Sequence, residues 1–97
     1  MTYEAQCQIQ SDHPCLVGHF PGNPIVPGVV ILDEIFYALS TWKNNCLIEQ
    51  ISTVKFLAPI KPGQPFIITL TESKAKRIEF NCSGNDTVYA TGKLTLK

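Results

Sequence analysis

No stretch of this chain approaches the roughly 20 consecutive apolar residues that a membrane-crossing helix needs, so no transmembrane helix and no membrane partner are expected. An excess of one charge is also missing. Eight Lys and Arg face eight Asp and Glu, for a formal net charge of zero. Without a basic surplus there is no electrostatic footprint for nucleic acid, and no nucleic-acid partner is expected. Paired cysteine motifs are absent too, because Cys7, Cys15, Cys46 and Cys82 are scattered along the chain. Cys7, His13, Cys15 and His19 together match none of the usual zinc spacings, so no metal site is expected. The cysteines read as reduced, partly buried thiols. The first twelve residues have neither a basic start nor an apolar run. Nothing there resembles a signal peptide, and a soluble, cytoplasmic protein is the expectation. There is no internal repeat, linker or low-complexity segment, and 97 residues predict one domain, 1–97, with a small core margin.

What the chain does have is an unusual loop. Gly18 to Pro27 carries Pro21, Pro24 and Pro27 with Gly18, Gly22 and then Gly28, around a single histidine, His19. Prolines fix φ and glycines permit backbone shapes that other residues resist, so such a loop holds one conformation at little cost. Pro27 and Gly28 stand where a helix should begin, and a helix N-terminus offers unpaired N–H groups to a polarised carbonyl. Asp33 and Glu34 follow within the same helix. An imidazole, an open helix N-terminus and a carboxylate just inside the helix point to acid–base chemistry on a carbonyl compound.

The remaining pattern is that of an α+β antiparallel protein. Ala5, Cys7 and Ile9 alternate with three glutamines, which predicts a strand with one wet face. Ser11 to Pro14 is turn chemistry, and His13 there reads as a turn residue rather than a catalyst. Gly28 to about Lys43 reads as the one long helix, with Ile31, Leu32, Ile35, Leu39 and Trp42 at three- and four-residue spacing and a stop at Asn44-Asn45. Its apolar residues spread around much of the circumference, as expected of a helix enclosed by a sheet. Val29, Val30 and Phe36 lie within a turn of Asp33. A largely apolar setting is therefore expected for that carboxyl, and burial would raise its pKa. Leu47–Phe56 reads as a strand and Pro59–Pro65 as a turn. Three further strands are predicted with inward residues Phe66, Ile68, Leu70; Ile78, Phe80, Cys82; and Val88, Ala90, Leu94, Leu96. Ser83-Gly84-Asn85-Asp86 is the hairpin turn between the last two.

The run His19-Phe20-Pro21-Gly22-x-Pro24-x-x-Pro27-Gly28-Val29, with an acid fourteen positions after the histidine, resembles the signature of the 3-hydroxyacyl-[acyl-carrier-protein] dehydratases. Val54-Lys55-Phe56-Leu57-Ala58-Pro59-Ile60-Lys61-Pro62-Gly63 is similar, more weakly, to the strand and turn after that family's helix. The likeness covers most of the chain from His19 onward, while the family's longer N-terminal segment is mostly missing. It implies the hotdog fold, a curved antiparallel sheet wrapped around one long helix. It also implies dehydration of a 3-hydroxyacyl thioester to the trans-2-enoyl thioester, in fatty-acid, polyketide or polyene assembly, with no cofactor. His19 would then be the base and Asp33 the group that helps the hydroxyl leave, with the Gly28 N–H on the thioester carbonyl. Phe20, Pro21, Val29, Val30, Phe36, Tyr37 and Phe56 would border the acyl chain. The partners implied are an acyl-carrier protein and a second copy, because in the family His and acid of one site come from two protomers.

The chain departs from the family pattern at three places. Asp33 replaces the commoner Glu, as in the branch that also isomerises the double bond. Tyr37 stands where Gln is frequent, four residues beyond the acid. Glu34 adjoins Asp33, and one residue is a turn of about 100° around a helix, so the two cannot share a site. Lys74, Lys76 and Arg77 form the densest basic group, a solvated hairpin with docking of an acidic carrier as the alternative. A hotdog thioesterase and a non-catalytic acyl-binding domain are the competing functions.

Overall fold

The computed structural model describes residues 1–10, 25–44 and 46–97. His13, Cys15, His19, Phe20 and Pro21 lie outside the described residues. The elements run β1 (Thr2–Cys7), α1 (Gly28–Trp42), β2 (Ile48–Phe56), β3 (Phe66–Lys74), β4 (Arg77–Gly84) and β5 (Thr87–Leu96). The five strands form one antiparallel sheet in the order β1-β3-β4-β5-β2, and α1 packs on one of its faces. This is the α+β hotdog architecture that the sequence implied.

The inner face of the sheet follows from the period of two. Phe66, Ile68 and Leu70 on β3, Ile78, Phe80 and Cys82 on β4, and Ala90, Leu94 and Leu96 on β5 are all buried. Against them α1 presents Val30, Ile31, Ile35, Ala38 and Leu39, at the three- and four-residue spacing of one helical face. Each large side chain fully enclosed here contributes about 1.5–3 kcal/mol. Burial pushes the Cys82 thiol up to about 12, with Cys7 a smaller cause, so Cys82 behaves as a small core hydrophobe. Gly92 must be glycine, because a Cβ there would run into the Phe80 ring and the Thr53 carbonyl.

Two expectations need correction. On β5 the alternation predicted Val88 inward and Tyr89 outward, but Val88 is exposed and Tyr89 is buried. Cys82 pairs with Ala90 while Ser83 pairs with Val88, which leaves Tyr89 as one extra residue in the ladder. A bulge of one residue reverses the faces on either side of it. The inward Tyr89 keeps its polar end satisfied, its hydroxyl accepting from Gln64 Nε2 at 2.7 Å. The second correction concerns the surroundings of Asp33 on α1. Val29, Asp33 and Tyr37, spaced by four, are all exposed. The apolar surroundings expected for Asp33 are therefore not supplied by the described residues of its own chain.

The turns fall where the sequence put them. Asn85 and Asp86 take φ of 49° and 59°, the left-handed pair that closes a two-residue hairpin with the right twist. Gly63, at φ 82°, turns the segment before β3, where its N–H donates to the Ile9 carbonyl at 2.7 Å. Helix α1 ends at Trp42, one residue short of the expected limit, where the Lys43 N–H donates to the Leu39 carbonyl at 2.8 Å.

Candidate active site

Pro27 is the N-cap of α1, with extended φ and ψ of −62° and 147° and no side chain able to cap. The N–H groups of Val30 and Ile31 both donate to the Pro27 carbonyl, at 3.0 and 3.3 Å. Among the described residues no acceptor takes the N–H of Gly28 or Val29, and no acidic side chain lies in the first turn. Two donors at the positive end of the helix dipole are thus left for a ligand oxygen.

These donors open beside an apolar groove of about 550 Å³. One wall is the approach to the helix, Ile25 to Gly28 with Ile31, and the other is the chain leaving β2, Phe56 to Ile60. The walls are tied together by the Val26 N–H, which donates to the Ile60 carbonyl at 2.8 Å. Phe56 and Leu57 remain 52% and 58% exposed, large apolar side chains held at a surface instead of in the core. The tip of the Phe56 ring closes on Gly28: a Cβ built there would stand 2.8 Å from Cζ and 3.1 and 3.2 Å from the two Cε atoms. A side chain at position 28 would have to displace the Phe56 ring.

The sequence-derived residues separate into three groups. Gly28 and Phe56 are in contact at the groove. Val29, Asp33 and Tyr37 share the open face of α1, and Tyr37 uses its carbonyl to accept from Ser40 Oγ at 2.8 Å and Thr41 Oγ1 at 3.1 Å. Val30 is in the core and Phe36 packs half-buried against it, so neither lines the groove of the single chain. Glu34 is half-buried on a different side from Asp33. Its charge, after burial itself, pushes the Cys7 thiol up, which puts this carboxylate towards β1. The two acids thus point apart, as a 100° step requires. Groove residues that sequence reasoning did not single out are Ile25, Leu57, Pro59 and Ile60. The signal for the last three was the apolar run after β2, where strand alternation stops at Phe56.

A second recess, of about 590 Å³, lies on the outer sheet face among Thr69, Asn81, Thr91 and the exposed Glu79–Lys93 pair. It is larger but holds none of the residues above, and the uncapped helix end makes the apolar groove the candidate. The basic hairpin of Lys74, Lys76 and Arg77 sits beyond the C-terminal end of α1, whereas the groove is at its N-terminal end. Among the described residues no cluster of His, Cys, Asp and Glu is arranged to hold a metal ion, and no helix is long and apolar enough to cross a membrane.

Comparison with known proteins identifies relatives of this chain. Residues 1–93 match the model of the ApeI-like family, described as ApeI dehydratase. The 3-hydroxyacyl-[acyl-carrier-protein] dehydratase FabZ of Ehrlichia chaffeensis is 33% identical over 79 residues, covering 73% of this chain and 55% of that protein. Its counterpart from Aliarcobacter butzleri is 32% identical over 100 residues, covering 90% and 67%. The chain thus spans little more than half the length of the first of these relatives. Among solved structures, the dehydratase heterocomplex ApeI:P from Xenorhabdus doucetiae superposes with a TM-score of 0.86 at 25% identity, over 98% of this chain and 86% of that one. With its sequence matched almost from end to end, this chain belongs to the ApeI-like dehydratase family.

Proposed function

We propose that this protein dehydrates 3-hydroxyacyl thioesters, presented on an acyl-carrier protein, to trans-2-enoyl thioesters. The observation that carries the reading is the uncapped first turn of α1, opening on an apolar groove with Asp33 five residues further along. The thioester carbonyl would accept from the Gly28 N–H, which stabilises negative charge on that oxygen as the C2 proton departs. His19 would take that proton, and Asp33 would donate one to the C3 hydroxyl, so that the C3–O bond breaks and water leaves. The electron pair of the C2–H bond becomes the new double bond, with C2 beside Phe56 and the acyl tail along Ile25, Pro59 and Ile60.

Asp33 faces away from its own groove, on an open stripe with Val29 and Tyr37 that are 61% and 71% exposed. A second copy would cover that stripe and bring His19 of one chain to Asp33 of the other. The edge strand β2, which carries the exposed Ile51, would pair in the same homodimer, joining two sheets edge to edge. The Xenorhabdus relative, itself a dehydratase heterocomplex, supports association of such chains.

Product analysis tests the reaction. A 3-hydroxyacyl chain on a carrier protein should yield the enoyl thioester with the thioester bond intact. Release of free acid and thiol would identify a thioesterase instead. An unchanged thioester at every chain length would identify an acyl-binding domain.

A further inference from the structure

The contact between Phe56 and Gly28 bears on which thioesters can enter. We infer that the Phe56 ring makes this site selective for acyl thioesters unbranched at C2, an inference that rests on the dehydratase reading and names its substrate class.

At Gly28 a side chain would have to displace the Phe56 ring. Three atoms of the ring tip stand 2.8–3.2 Å from the place of a Gly28 Cβ, so the ring fills the space beside the first-turn backbone. Ring and amide both belong to the groove, and the ring keeps 52% of its surface exposed there. A carbonyl oxygen bonded to the Gly28 N–H lies about 2.9 Å from the nitrogen. Its C1 and C2 follow within two bonds, which sets them beside the ring tip. A hydrogen on C2 can face an aromatic edge, but a methyl on that side occupies volume the ring already holds. The rest of the groove, with Ile25, Pro59 and Ile60, is lined by other residues. Bulk near the thioester and length of the tail are therefore read by different parts of the groove. Phe56 ends a strand, half exposed and outside the buried core, so its truncation leaves the fold standing.

The test compares kcat/KM for carrier-linked 3-hydroxyacyl thioesters with and without a C2 methyl, and for unbranched chains of several lengths. One methyl in an apolar pocket is worth roughly 10–200-fold in discrimination, and the parent should favour the unbranched substrate by that order. In Phe56→Ala the ratio should fall at least about tenfold, with the order of chain-length preference unchanged. Phe56→Tyr, which retains the ring, should discriminate as the parent does. A parent with no preference would overturn the inference. So would a Phe56→Ala protein, shown folded by its melting transition, that keeps the parent ratio. A parent inert on every substrate defeats the dehydratase reading instead. The inference is then decided by isothermal titration with octanoyl- and 2-methyloctanoyl-pantetheine, where equal affinities overturn it and a preference abolished by Phe56→Ala sustains it.

Discussion

At its C-terminal end α1 is clamped to the sheet, while at its N-terminal end the first turn is left open. Trp42 stacks on Tyr3 of β1 with ring centroids 5.9 Å apart, and the Lys43 ammonium lies 4.8 Å from the centroid of the Trp42 ring. Lys43 also pairs with Glu72 of β3 at 3.0 Å, and the second Glu72 oxygen accepts from the Lys76 N–H at 3.2 Å. A cation at the negative end of the helix dipole adds to this. Among the described residues the N-terminal end shows the reverse: no capping side chain, no acid in the first turn, a glycine and exposed apolar neighbours. One helix thus has its packing concentrated at one end and, among the described residues, its unpaired donors at the other. Exposure at the proposed site is tolerable because the other end secures the element.

The sharpest way to break this contrast is to remove the carboxyl on the open face. Asp33→Asn should lower turnover by roughly two to four orders of magnitude, the usual worth of a positioned acid. The melting temperature should barely move, because the Asp33 side chain is exposed. Glu34→Gln should keep most of the activity; the opposite pattern would show that the other carboxylate does the work. At the clamped end the two readouts should exchange. Trp42→Ala should cost about 2 kcal/mol, less than for a fully buried Trp, or roughly 8–16 °C in Tm. The rate per folded molecule should stay near the parent value, and a large loss of turnover at unchanged Tm would erase the distinction between the ends.

A smaller effect belongs to Glu72. The hydrogen bond from Lys43, then that from the Lys76 backbone, hold its carboxyl below the ordinary value of 4.5. A carboxyl depressed on folding contributes stability above its unfolded pKa, and the contribution is lost as pH falls through the folded value. Glu72→Gln should therefore melt slightly below the parent at neutral pH, and the gap should close in acid, below 4.5. A gap that persists unchanged into acid would mean that the ion pair is not its source. The pair is half-buried at the surface, and added salt should narrow the gap as well.

The same two ends explain what could be read from sequence. The helix, its N-terminal start at Pro27-Gly28 and the inner faces of β3 and β4 were legible, because they follow from local rules of period and of proline and glycine conformation. Val88 and Tyr89 were exchanged because a one-residue bulge is a pairing feature that leaves no mark in an alternating string. Asp33 was expected among apolar groups because neighbours along a helix were counted without knowing which side the sheet covers. The contact of Phe56 with Gly28 joins residues 28 positions apart, and nothing local announces it. Tyr3, Trp42, Lys43 and Glu72 likewise come from separate parts of the chain, and only the fold assembles them.

The most direct test of a site shared between two open helix faces is complementation. His19→Ala and Asp33→Asn chains are each expected to be inactive while still pairing in light scattering. When the two are unfolded and refolded together, random pairing makes half of the dimers mixed, each with one intact site, so about a quarter of the parent activity should return. Recovery of that order would place His19 of one chain against Asp33 of the other. A mixture that pairs but stays inactive, or a His19→Ala protein that dehydrates at the parent rate alone, would contradict the account.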